Sequence, residues 1–189
     1  MEADQREPRA FSHCMKNAMF MFVSLVTDRY IKVVKKKVYL DTTIPSYFYD
    51  DRQETAFLIS ATKSWFRNEA KQYDVFISDE TLVEAQEGDH PYKRKILDFL
   101  SRCNTLPFDA ILEDIVEEYI QNHLMPQKFG GDALHLAYAS YYKIDFLLTW
   151  NCNHLANANK REHIRVINSR MGLFVPEITT PLELVNEEK

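Results

Sequence analysis

The sequence predicts an α/β domain, a three-layer α/β/α sandwich built on a central, mainly parallel sheet. Short apolar segments rich in β-branched and aromatic residues alternate along it with longer segments of helical period. Parallel strands need crossover connections, which are usually helical, so this alternation favours a parallel sheet covered on both faces. The chain has 189 residues, of which 46% are hydrophobic, and this is enough for one domain with its own core.

The first half of the domain supplies two strands and the helices between them. The apolar segment VYL predicts the first strand, and a loop containing Pro45 follows it. Helical periodicity then extends over ETAFLISATKSWFRNEAKQY, and DVFIS predicts the second strand. The segment ETLVEAQEG predicts a short helix that closes at Gly88, because glycine commonly follows the last turn of a helix.

The second half continues the same alternation. HPYKRKILDFLSRC predicts a helix, NTLPF a third strand, and AILEDIVEEYIQNHLM a helix that Pro126 ends. The next helix is expected from about Asp132 to Lys143, followed by the apolar strand FLLTW. After a polar stretch, we expect a last strand near VINSR or LFVPEI.

The N-terminal segment, residues 1–36, differs from the rest of the chain. It has a polar head, the short apolar run AMFMFVSLV and the basic segment KVVKKK, without turn residues that would tie it into a fold. We therefore expect an N-terminal extension over residues 1–36 and a single domain over residues 37–185.

The sequence also indicates the cellular compartment of the protein. The run AMFMFVSLV is shorter than the roughly 20 apolar residues that span a bilayer, and the residues around it lack the features of a signal peptide. The three cysteines make an odd number and show no C-x-x-C spacing. These observations predict a cytoplasmic protein with no membrane partner.

Oxygen-bearing side chains are expected together at one edge of the sheet, because functional groups in parallel sheets lie at the carboxyl ends of the strands. Asp41 directly follows VYL, and Asn151 follows FLLTW. Glu84 lies in the helix after DVFIS, and Asp132 starts a helix after two glycines. Each has an ordinary explanation as a turn, cap or surface residue, but together they form an all-oxygen set that suits Mg²⁺ or Mn²⁺.

Four segments resemble, in order and spacing, the acidic motifs of PIN domains, and most closely those of VapC-like toxins of bacterial toxin–antitoxin pairs. They are YLDTTIPSYF around Asp41, SDETLVEA around Glu84, GDALHLAYA around Asp132 and LLTWNCNHLAN around Asn151. The resemblance covers roughly residues 37–185 and implies a PIN-like fold. Many relatives have aspartate at the position of Asn151, so this chain departs from the common pattern there.

The resemblance implies a metal-dependent endoribonuclease that hydrolyses RNA phosphodiester bonds. It assigns catalysis and the binding of Mg²⁺ or Mn²⁺ to Asp41, Glu84, Asp132 and Asn151. A metal-bound water with a lowered pKa would attack the phosphorus, while the cation neutralises charge on the phosphoryl oxygens. The implied partners are an RNA substrate, a cognate antitoxin protein and a second copy of the chain in a homodimer.

Substrate contacts are assigned to hydroxyl groups beside these residues and to one histidine. Thr149 fits the hydroxyl that the family carries near the site, and Thr42 or Thr43 would contact a substrate phosphate or a metal-bound water. His154 lies near enough in sequence either to contact RNA or to orient a loop.

His135 lies three residues after Asp132, a spacing that places both on one helical face. It would either join the metal site or form hydrogen bonds within or beside it. We expect the second arrangement, because hard cations prefer oxygen ligands.

A non-enzymatic function is the alternative, a catalytically weak or inactive PIN-like scaffold that binds RNA or a protein. The neutral Asn151 at the fourth position favours it. The three carboxylates argue against it, because a binding module gains nothing from their mutual repulsion.

Overall fold

The computed structural model of the chain describes residues 34–125, 131–152 and 155–185. Apart from Val34, these residues belong to the second of two compact units, Lys35–Lys189. The predicted N-terminal extension, residues 1–36, lies outside the described residues except for its last three. The proposed boundary between extension and domain stays a prediction.

A five-stranded sheet forms the centre of this unit, and every pair of neighbouring strands in it is parallel. Its strands are β1 Lys36–Leu40, β2 Tyr73–Ser78, β3 Asn104–Leu106, β4 Phe146–Leu148 and β5 Glu177–Thr179. Their order across the sheet is β3-β2-β1-β4-β5. The predicted fold class is confirmed, a PIN-like α/β arrangement in which helices flank an all-parallel sheet.

Helices form the crossover connections between the strands. They are α1 Thr43–Tyr49, α2 Ala56–Asn68, α3 Asp79–Glu87, α4 Lys93–Leu100, α5 Ile111–Gln121, α6 Gly131–Tyr141 and α7 Ala158–Arg170. Among the residues that the structure describes, no helix is long and apolar enough to cross a bilayer.

Two apolar clusters cover the two faces of the sheet. Along β1, Val38 and Leu40 belong to one cluster and Tyr39 to the other, as expected when successive strand residues point to opposite faces. The cluster with Leu40 contains side chains of α1, α2 and α4, including Trp65. The cluster with Tyr39 contains side chains of α5, α6 and α7, including Tyr138. The sheet is therefore the middle of three layers.

The predicted loop around Pro45 is wrong, because helix α1 occupies residues 43–49. Pro45 lies in the first turn of this helix, where the missing amide proton leaves no helical hydrogen bond unmade. Ile44 and Pro45 are buried against the sheet. Burial thus outweighs the β-branched and aromatic composition of TIPSYFY, which on propensity alone disfavours a helix.

The last strand lies at the end of LFVPEI, as Glu177–Thr179, and the alternative prediction at VINSR is wrong. VINSR belongs to α7, which buries Ile164, Ile167 and Asn168 at helical spacing. The Asn157 side chain caps this helix by accepting a hydrogen bond from an amide in its first turn. Helix α5 ends at Gln121, and the predicted helix stop at Pro126 lies outside the described residues.

Asp50 ends α1 and is held by Arg52. Its carboxylate is 4% exposed and accepts bonds from the Asp51 amide (2.8 Å) and from Nε and Nη2 of Arg52 (2.8 and 2.6 Å). These bonds from Arg52 hold the pKa of Asp50 well below its usual range.

We expect Asp50→Asn to destabilise the protein by about 2 kcal/mol at pH 7, because charge-assisted hydrogen bonds to a buried carboxylate are lost. A lowered folded-state pKa gives stability that is present above the unfolded pKa of about 4 and is lost as the pH falls towards the folded value. Urea midpoints of wild type and Asp50→Asn at pH 7 and pH 3 measure the difference in stability between the two proteins. A difference that is as large at pH 3 as at pH 7 would contradict it.

Candidate active site

The fold brings the predicted acidic residues to one edge of the sheet. Asp41 follows β1 and Asn151 lies three residues beyond the end of β4, and these two strands are neighbours. The Asp41 amide bonds the carbonyl oxygen of Leu148 at 3.3 Å, which continues the strand pairing into the site. Glu84 is in α3, which starts directly after β2, and Asp132 is the second residue of α6.

Asp41 is the most deeply placed of the carboxylates, at 2% exposure. It accepts hydrogen bonds from the Thr43 amide (3.0 Å), the Thr43 hydroxyl (2.5 Å) and the Thr149 hydroxyl. Burial raises the pKa of Asp41 above its usual range, and the negative charge of Asp132 raises it further. These two effects outweigh the lowering by His135 and by the two hydroxyl donors. Ionised Asp41 is therefore costly without a compensating cation.

Asp132 and Asn151 face each other directly. The amide nitrogen of Asn151 donates to both carboxylate oxygens of Asp132, at 2.8 and 2.9 Å. The Asn151 backbone amide in turn donates to the Thr149 hydroxyl at 2.9 Å, which connects this pair to Asp41. The predicted fourth residue of the site thus acts here as a hydrogen-bond donor to the third carboxylate.

Glu84 is half-buried, with 31% of its side chain exposed. Its Oε2 accepts hydrogen bonds from the Thr42 hydroxyl and from Nε2 of His135 at 2.9 Å. Thr42 follows Asp41 in the chain, and His135 lies one helical turn after Asp132. Through these two contacts Glu84 is tied to the segments that carry the other two carboxylates.

His135 forms hydrogen bonds beside the carboxylates, the arrangement expected from the sequence. It is 2% exposed, with Nδ1 2.6 Å from the Tyr39 hydroxyl and Nε2 2.9 Å from Glu84. Burial disfavours the charged imidazole, but the hydrogen bond and charge of Glu84, together with the charge of Asp41, outweigh it and raise the pKa of His135 above its usual value.

The three predicted substrate-contacting hydroxyls each donate to a carboxylate. Thr43 and Thr149 donate to Asp41, and Thr42 donates to Glu84. They orient the acidic side chains, and contact with a substrate stays a prediction for each of them. His154 lies outside the described residues.

Gly131 and Glu80 place the start of α6. Glu80 lies two residues after β2, at the edge of the sheet where functional groups are expected, and the motif resemblance assigns it no role. Gly131 has a φ of 55°, a conformation that glycine adopts without the strain a side chain would bring. Its amide donates to Oε1 of Glu80 at 2.7 Å, so a carboxylate from the first turn of α3 caps the helix that carries Asp132. The sequence signals for this contact are the position of Glu80 just after a strand and the two glycines before Asp132, which indicate a close backbone approach.

The donor set fits a hard divalent cation by its chemistry. Asp41, Glu84 and Asp132 offer carboxylate oxygens and Asn151 an amide oxygen, the ligand types that Mg²⁺ and Mn²⁺ prefer. Over residues 34–125, 131–152 and 155–185, however, no three acidic, histidine or cysteine side chains converge as a ready-made metal site. The oxygens of Glu84 and Asp132 are instead bonded by neighbouring side chains, and such bonds would have to be exchanged when a cation binds.

Comparisons with solved structures find VapC toxins among the proteins whose fold is similar to that of this chain. No protein-family model matches the chain, and no curated protein sequence matches it. The structure of VapBC2 from Rickettsia felis, bound to a DNA fragment from their promoter, is 16% identical and covers 76% of this chain and 98% of its own, with a TM-score of 0.46. The sarcin-ricin loop cleaving toxin VapC20 of Mycobacterium tuberculosis is 13% identical and covers 64% of this chain and 95% of its own, with a TM-score of 0.48. Both similarities concern the fold.

Proposed function

We propose that this chain is a metal-dependent endoribonuclease that hydrolyses RNA phosphodiester bonds. The observation that supports it most is the burial of Asp41 beside Asp132, with a raised pKa, at the carboxyl end of the central strand. A chain selected for stability alone gains nothing from this arrangement, whereas perturbed carboxylates are common at catalytic sites. The four motifs that resemble those of PIN domains fall on the same residues.

Asp41, Glu84 and Asp132, with the amide oxygen of Asn151, would hold Mg²⁺ or Mn²⁺. When bound, such a cation supplies a water of lowered pKa and neutralises charge on the phosphoryl oxygens. The protein's contribution is to hold the carboxylates. Thr149 holds Asp41, His135 holds Glu84 and Asn151 holds Asp132, each through a hydrogen bond to the carboxylate.

We also propose that the enzyme is the toxin of a toxin–antitoxin pair, a role that the motif resemblance implies together with a homodimer. The partner would be a cognate antitoxin protein. Exposed apolar side chains of Phe57, Leu182 and Val185 border one surface cavity. Apolar surface of this kind is typical of a protein contact.

A cleavage assay tests the proposed activity. Purified protein is incubated with single-stranded and structured RNAs in Mg²⁺, in Mn²⁺ and in EDTA, with Asp132→Asn alongside as a control for contaminating nucleases. We expect cleavage with either metal, products that carry a 5′-phosphate and a 3′-hydroxyl, and no cleavage in EDTA. Cleavage that persists in EDTA, or in the variant, would contradict the metal-dependent mechanism.

A non-catalytic RNA- or protein-binding scaffold is the second candidate. The bonds from Asn151 to Asp132 favour it, because a neutral amide here satisfies a carboxylate that would otherwise need a cation. Folded protein that binds RNA but cuts none of the substrates in either metal would support the scaffold.

A further inference from the structure

A chain of two hydrogen bonds, one buried and one partly buried, joins the three segments that carry the acidic residues. It runs from Tyr39 in β1, through His135 in α6, to Glu84 in α3. Asp41 lies two residues after Tyr39, and Asp132 lies three residues before His135. The chain of bonds therefore connects the supports of Asp41, Asp132 and Glu84.

The direction of the bond between His135 and Glu84 follows from the chemistry of its two groups. An ionised carboxylate only accepts hydrogen bonds, so Nε2 of His135, 2.9 Å from Oε2, carries the proton. His135 itself is 2% exposed, whereas 31% of the Glu84 side chain is exposed. Its other ring nitrogen, Nδ1, faces the Tyr39 hydroxyl at 2.6 Å.

Tyr39 fixes the imidazole from the opposite side. Its hydroxyl also lies 2.6 Å from the Ser78 hydroxyl and 3.2 Å from that of Thr81. Ser78 caps α3 by accepting a hydrogen bond from the Thr81 amide. Tyr39 thus connects the imidazole to the start of the helix on which Glu84 lies, and the ring is held at both nitrogens.

We propose that His135 is a positioning residue, whose Nε2–H holds the Glu84 carboxylate where it would share a cation with Asp41 and Asp132, while Tyr39 fixes the orientation of the ring. This rests on the proposed function, in which Glu84 is a metal ligand. Both nitrogens of the buried ring lie against protein partners, so the imidazole acts on the site through Glu84. Hydrogen bonds that orient a ligand from outside the coordination sphere typically change metal affinity 10- to 100-fold.

The test compares Mn²⁺ binding to wild-type protein, His135→Gln, His135→Asn and Tyr39→Phe by calorimetry without RNA, with thermal melting to confirm folding. The glutamine amide nitrogen reaches the position of Nε2 and keeps the bond to Glu84. The shorter asparagine reaches only the position of Nδ1 and loses it. We expect about tenfold or greater weakening of Mn²⁺ binding in His135→Asn, and a change within about threefold in His135→Gln.

Equal losses in the two His135 variants, or no loss in His135→Asn, would overturn the proposal. If His135→Asn does not fold, Tyr39→Phe decides, because it removes one hydroxyl and keeps the ring. Its Mn²⁺ binding should weaken by about threefold or more, and unchanged binding would overturn the proposal. Wild-type protein that binds Mn²⁺ and cuts no RNA would refute the nuclease function alone, and wild-type protein that binds no Mn²⁺ would refute both.

Discussion

Replacing Asp41 with asparagine is expected to slow RNA cleavage by about 10³-fold or more and to make the metal-free protein more stable near pH 8. The loss of activity follows from the loss of a negative oxygen ligand, since metal stabilisation of the transition state amounts to several kcal/mol and about 1.4 kcal/mol corresponds to a factor of ten. Burial raises the pKa of Asp41, so the ionised form of this residue is unfavourable in the folded state. Asparagine removes the charge and keeps the shape.

The sign of the pH dependence is set by the raised pKa of Asp41. A carboxyl whose folded-state pKa lies above the unfolded value contributes stability at low pH, and this contribution is lost as the pH rises through the folded-state value. Asp41→Asn should therefore gain stability over wild type between pH 4.5 and pH 8. Urea midpoints at the two pH values in EDTA, with initial cleavage rates in Mg²⁺, measure both effects.

Asp50→Asn is the matched control. Asp50 is also a buried aspartate, at 4% exposure, but Arg52 lowers its pKa where burial raises that of Asp41. The control should lose stability at pH 7 and keep its cleavage rate. An Asp41→Asn protein that is less stable than wild type in EDTA at pH 8, or that cuts RNA at the wild-type rate, would show that Asp41 is an ordinary structural aspartate.

The sequence predicted β1, β2 and β4 well because each contains a short apolar run that ends in buried residues. It failed where burial and local propensity conflict. Pro45 suggested a loop, but a proline in the first turn is compatible with α1. The segment VINSR suggested a strand by composition, although its isoleucine and its asparagine lie on the buried face of α7. Only the tertiary packing decides such segments.

The sequence predicted those residues of the candidate site whose positions follow from the ends of strands and the starts of helices. Asp41 and Asn151 came together because their strands are neighbours. The contact of Tyr39 with His135 was not predictable, because it joins residues 96 positions apart and depends on the depth at which α6 packs on the sheet. The sequence could not predict that Asn151 acts as a hydrogen-bond donor, because an amide offers both an oxygen and a nitrogen and its partner decides which one is used.

Placing a carboxylate at position 151 with Asn151→Asp should make the metal-free protein less stable and its cation binding tighter. The Asn151 nitrogen lies 2.8 and 2.9 Å from the two oxygens of Asp132, so an aspartate would put two carboxylates in direct contact. Like charges at this distance raise the pKa of one of the pair and oppose folding, by about 1–3 kcal/mol when buried hydrogen bonds are lost as well. A bound divalent cation makes Asn151→Asp the more stable of the two proteins, because each added carboxylate charge attracts the cation strongly in a partly buried site.

Thermal melting in EDTA and in increasing Mn²⁺ should therefore give crossing curves, with the variant melting below wild type in EDTA and above it at saturating Mn²⁺. We expect its Mn²⁺ affinity to rise about tenfold or more. Asn159→Asp adds the same charge on the exposed part of α7 and should leave Mn²⁺ affinity unchanged. If Asn151→Asp melts like wild type in EDTA and binds Mn²⁺ no more tightly, residue 151 does not share a site with Asp132. A crossing specific to Asn151→Asp would mean that this chain gives up cation affinity for stability of the metal-free state, because the amide neutralises a contact that a fourth carboxylate would make repulsive.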